Sequence, residues 1–128
     1  MKYYIDKTLD APFEAALLQA REALKSEGFG VLSEIDIKEK FREKLDIDFR
    51  HYTILGACNP PLAYDALKAE NKIGAMLPCN VVVQESEDGM VEVAAVDPVQ
   101  PMKAIDNAAL TEIAETVRSK LKNVIERL

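Results

Sequence analysis

The chain carries a single histidine, two cysteines and no tryptophan, and each scarcity narrows its chemistry. One histidine cannot supply a multi-histidine metal site, and two cysteines fall short of the four ligands in close pairs that structural zinc requires. No apolar run approaches the roughly 20 residues that span a bilayer, and Met1-Lys2-Tyr3-Tyr4-Ile5-Asp6-Lys7 lacks the long apolar core of a signal peptide. Cationic excess is missing as well: with 16 Lys and Arg against 22 Asp and Glu, the formal charge is -6. That balance argues against nucleic acid, whose phosphates are neutralised by clustered basic residues. Serine- and glycine-rich linkers, repeats and low-complexity tracts are also absent, so nothing divides the sequence.

What is present suits one cytoplasmic α+β domain over residues 1–128. A chain of 128 residues can bury roughly two thirds of its unfolded surface, so neither disulfide nor metal is needed to hold it together. Two cysteines in a reducing compartment are expected as free thiols.

The pattern of apolar residues predicts the order strand, helix, strand, helix, strand, helix, strand, strand, helix. Tyr3 to Lys7 alternates and reads as the first strand. Asp10 is placed to cap a helix with Pro12 in its first turn, whose apolar face is Phe13, Leu17, Ala20 and Leu24 and whose stop is Gly28. Phe29 to Ile35 forms the second strand. Asp36 caps a short helix with Ile37, Phe41 and Leu45 on one side and a run of charges, read as a solvated face, on the other.

Phe49 to Ala57 is the third strand. It leads into Asn59, a good N-cap, and Pro60, a good first helical residue, opening a helix that ends near Asn71. Asn80 to Gln84 forms the fourth strand, joined through Glu87-Asp88-Gly89 to Met90–Val96 as a hairpin. After Pro98 and Pro101, Asp106 or Asn107 caps a last helix with the stripe Leu110, Ile113, Ala114, Val117, Leu121, Val124 and Leu128.

Helices alternating with strands, followed by a hairpin, predict a two-layer arrangement: a mixed five-stranded sheet, parallel in its first part, with helices on one face. The other face would carry Tyr, Thr, Glu and Gln side chains and is a natural homodimer surface.

Gly56-Ala57-Cys58-Asn59-Pro60, Ala63, Ala66-Leu67, Gly74, Leu77-Pro78-Cys79-Asn80-Val81-Val82-Val83 and Val96-Asp97-Pro98 together resemble the family called domain of unknown function 302. The order and spacing cover nearly the whole chain. The resemblance implies a small two-layer α+β domain that associates as a dimer, and it implies no activity.

The candidate site is the pair of Cys-Asn steps. Cys58 precedes a helix N-terminus, where the dipole and unpaired N–H groups favour a thiolate or an anion. Cys79 opens the next strand. A parallel crossover would leave the two about 20 Å apart at roughly 3.3 Å per residue, whereas a chain returning along the helix would bring both to one edge. Cys58, Asn59, Cys79 and Asn80 are the expected ligand-binding residues, with Cys58 and Cys79 as soft-metal ligands if the ligand is a metal. Three functions follow: a domain binding a small ligand or soft metal there, a thiol-dependent enzyme or redox protein using Cys58, or a homo-oligomeric interaction module without a pocket. Packing alone accounts for a cysteine beside Ala57 or Pro78. His51, about 23 Å along the strand from Cys58, is no partner for it. No motif names a cofactor.

Overall fold

Alternation along the strands decides which face of the sheet is covered. In β3 (Tyr52–Cys58) the side chains of Thr53, Leu55 and Ala57 are buried, while Tyr52 and Ile54 between them are only half covered. β4 (Cys79–Glu85) and β5 (Val91–Val96) repeat the pattern through Val81 and Val83 and through Val91, Val93 and Ala95. One sheet face is therefore core, because successive side chains point to opposite sides. Each fully buried valine or leucine on it contributes about 1.5–3 kcal/mol.

The computed structural model describes residues 2–128. β1 (Tyr4–Leu9), α1 (Phe13–Ser26), β2 (Gly30–Asp36) and α2 (Ile37–Leu45) precede β3. α3 (Pro60–Ala69) and a 3-10 turn at Ile73–Met76 link β3 to β4, and α4 (Val99–Met102) and α5 (Ala108–Glu126) follow β5. The five strands lie in the order β1-β5-β4-β3-β2. Phe13, Ala16, Ala20 and Leu24 of α1 join Val117, Leu121, Val124 and Ile125 of α5 on the covered face. The fold is α+β, with the element order and the helices on one face as the sequence predicts.

The pairing differs from expectation. All four strand pairs are antiparallel, so the sheet is not mixed. Alternating polarity reports which face a residue occupies but not the direction of the neighbouring strand. Here α1 carries the chain back to the end where β1 began, so β1 and β2 run the same way without being neighbours. α2 and α3, with the turns after them, reverse β2 into β3 and β3 into β4, and β1 pairs with β5 instead of β2. In β2 the register slips between Val31 and Ser33, and Leu32 at that bulge is 69% exposed, which bends an otherwise templating edge.

The caps follow local chemistry. Asp36 accepts from Glu39 N at 3.0 Å, and Asn107 accepts from Leu110 N at 3.2 Å. α1 departs from expectation: Pro12, not Asp10, occupies its cap position, without a side-chain hydrogen bond. Proline needs no acceptor for an N–H it lacks. The helix closes before Gly28, whose φ of 84° is a left-handed conformation that glycine adopts without strain.

Candidate functional site

Because β3 and β4 run antiparallel, the last residue of one lies at the same end of the sheet as the first residue of the other. Cys79 stands opposite Ala57, whose chain neighbour is Cys58. Both thiols are free and unbonded to each other, and both line a cavity of about 40 Å³ enclosed by the start of α3, the strand ends and α5. Its walls are Leu62, Ala66, Ile113, Val117 and similar carbon surfaces, and among the described residues Asn59 is the only polar one in the lining besides the thiols.

Asn59 has a capping role. Its Oδ1 accepts from Leu62 N at 3.5 Å and its Nδ2 donates to the Glu27 carbonyl at 3.4 Å, fastening the start of α3 to the end of α1. The helix N-terminus offers little to an anion, contrary to the sequence expectation. Pro60 and Pro61 have no N–H, Leu62 N–H goes to Asn59 Oδ1, and Ala63 N–H goes to the Asn59 carbonyl. The dipole remains, but the donors are used.

Cys79 faces the core, and burial together with the neighbouring Cys58 pushes its thiol up to about 11. It is a protonated thiol at neutral pH, since burial penalises the charged form. Asn80 is not part of this cavity. One residue beyond Cys79, it points to the opposite, open sheet face, where it is exposed beside Tyr52, Val82 and Val96. A strand cannot aim consecutive side chains at one space.

His51 stacks on Phe13 with ring centroids 4.9 Å apart, beside a charged groove that includes Glu34, Lys38 and Asp48. The cavity lining does not include it. Among the described residues, no three of His, Cys, Asp or Glu are grouped as metal ligands, and no helix is long and apolar enough to cross a membrane.

Two contributors carry no clear sequence signal. Met102, in the four-residue α4, is buried against the cavity; so short a helix has no periodicity to read. Asp97, which in the sequence only precedes a proline, is a buried carboxylate at 5% exposure. It accepts from Val99 N at 3.0 Å and so fixes α4.

The family described as "Domain of unknown function DUF302" matches residues 5–128. An uncharacterized protein of Aquifex aeolicus (strain VF5) is 28% identical over 94 residues, which is 73% of this chain and 59% of that protein. The chain thus spans about three fifths of the length of that relative. The crystal structure of an uncharacterized conserved DUF302 protein from Bacillus stearothermophilus superposes with a TM-score of 0.91 at 29% identity, covering 99% of this chain and 98% of that one.

Proposed function

The chain belongs to the domain of unknown function 302 family, and from that premise we propose that it is a binding domain for a small ligand, with its site at the cavity lined by Cys58, Asn59 and Cys79. One observation carries the reading: the only two thiols of the chain, remote in sequence, border one carbon-walled space. Its volume of about 40 Å³ suits one heavy atom or a few. Pockets for drug-sized molecules run to roughly 300–1,000 Å³. A soft metal held by Cys58 and Cys79 is one such occupant. A reducing, cytoplasmic setting is the one in which both thiols stay free.

A thiol enzyme built on Cys58 is less well supported. Such a nucleophile needs a base in contact with it, and the cavity lining contains no histidine, carboxylate or amine. Cys79 is protonated at neutral pH and cannot serve as one.

Xenon is the test, because its size matches the space and it needs no polar partner. Under xenon pressure, methyl resonances of Leu62, Ala66 and Val117 should shift while those of Leu9 and Val91 stay in place. Shifts spread evenly over the molecule, or none, contradict the reading.

The open sheet face supports a second proposal: a second copy of the chain covers it. Tyr52, Val82, Ala94 and Val96 lie together there, and among the described residues no helix lines this face. Stacking this face on its own copy about a two-fold axis buries those side chains in both protomers.

A further inference from the structure

We infer that the charged groove beside His51 is a binding site for a linear aliphatic diamine, an organic dication whose two ammonium groups are joined by methylenes. The groove shares no lining residue with the cavity at Cys58 and Cys79. Strand register builds its floor. Thr53 and Leu55 lie on the covered face of the sheet, and across the pairing of β2 with β3 they stand opposite Asp36 and Glu34. Directly opposed residues share a face. Two carboxylates therefore occupy positions where β4 and β5 carry buried valines, and Phe13, Glu14 and Leu17 of α1 form the wall above them.

Inward charges on an edge strand deter pairing with other chains, which accounts for β2 but not for Thr53. That residue is on an interior strand, between β2 and β4, and is 4% exposed. Its hydroxyl forms no hydrogen bond among the described residues. No side-chain oxygen sealed from solvent there lacks a partner, so this hydroxyl opens into the groove that it lines. A largely buried hydroxyl without a partner is destabilising, and the N–H of a bound ammonium supplies one.

Ionic pairing selects the sign and the spread of the ligand. Lys38 and Arg42 both engage Asp48, at 3.0 and 3.9 Å, and Glu34 is paired with Arg21 outside the lining. Asp36 caps α2 with Oδ1. Glu14 on α1 and Glu39 on α2 form no ion pair among the described residues. Carboxylates thus remain free on two walls, and the formal charge of -6 draws cations toward the surface. These acids do not converge on one point, since among the described residues no three are grouped as metal ligands. Two ammonium groups on one alkyl chain match acids on two helices, with the methylenes laid against Phe13 and Leu17. The volume of about 480 Å³ falls within the roughly 300–1,000 Å³ of small-molecule sites.

The test is calorimetric titration of the intact chain with diaminopentane at about 0.15 M salt, where charges beyond roughly 8 Å are screened. One diamine per chain is expected. Pentylamine, with a single ammonium, should bind about two- to fivefold more weakly, as should the diamine to Glu14→Gln and to Glu39→Gln. Thr53→Val should weaken binding about threefold or more while leaving the urea midpoint equal or higher, because the hydroxyl has no partner to lose within the chain. Glu115→Gln, on the exposed side of α5, should bind as wild type does. Amide resonances of the wild-type chain should shift at Glu14, Leu17, Glu39 and Thr53 and stay in place at Cys58 and Cys79. Pentylamine binding as tightly as the diamine, a Thr53→Val variant of wild-type affinity, or shifts spread over the whole acidic surface overturns the inference.

Discussion

Arg118 donates from Nε to Oδ2 of Asp97 at 3.0 Å, tying the middle of α5 to the carboxylate that accepts the first N–H of α4. The carboxylate side chain is 6% exposed and the arginine 47%, so the acid is the buried member. Its other oxygen holds Val99 N. One carboxylate thereby positions two walls of the cavity, Met102 on α4 and Val117 on α5.

Removing that carboxylate should loosen both walls. Asp97→Ala is expected to lower stability by about 2–3 kcal/mol, since hydrogen bonds to a charged group are each worth about 1.5–3 kcal/mol and Arg118 regains water. Asp97→Asn keeps the cap and should lose less. Urea unfolding with an unchanged slope measures both; a midpoint for Asp97→Ala equal to wild type contradicts the assignment.

Gly56 is a second mechanical point. A Cβ there would stand 2.9 Å from Cγ of Pro78 and far too close to Oγ of Ser33. The serine can rotate away, but the proline ring cannot, and it immediately precedes Cys79. Gly56→Ala should cost about 1–3 kcal/mol through overpacking and change the reactivity of Cys79 toward a small alkylating reagent. An alanine variant as stable as wild type would show that the loop yields freely.

The raised thiol gives stability a defined dependence on pH. In the unfolded chain Cys79 ionises near 9, and in the folded chain near 11. Between those values the unfolded state has lost the proton that the native state retains, so stability falls as pH rises from about 9 and levels off above about 11. The loss is on the order of 2 kcal/mol. Cys79→Ala should remove this component, as read from urea midpoints at pH 8, 9, 10 and 11. An undiminished fall in the variant would assign it to other groups.

The dimer proposal predicts that a charge at the centre of the open face separates the protomers. Val82, paired with Ile54 on one side and Ala94 on the other, is that centre. Sedimentation should show Val82→Glu as a monomer where the wild-type chain is a dimer. Equal sedimentation of the two contradicts the proposal.

Much of this fold is legible because it rests on local chemistry. Asp36 and Asn107 cap as their side chains dictate, the Asp88-Gly89 step makes the hairpin, and the stripe from Leu110 to Val124 is buried as its spacing implies. The direction of pairing is not legible, because Leu55 and Val81 would be buried equally beside a parallel or an antiparallel neighbour. For the site, Cys58, Asn59 and Cys79 are identifiable as unusual residues, yet their shared cavity depends on that antiparallel return. Asn80 fails by the simplest rule of the strand, which sends it to the face opposite Cys79. Met102 is silent in sequence, being an isolated apolar residue after two prolines.

The most direct measurement of the central claim is a crystal structure of the chain under xenon pressure, read by anomalous scattering. The account predicts one strong peak inside the space bounded by Cys58, Cys79, Leu62 and Val117. Peaks only elsewhere, with side chains closed over that space, would contradict it.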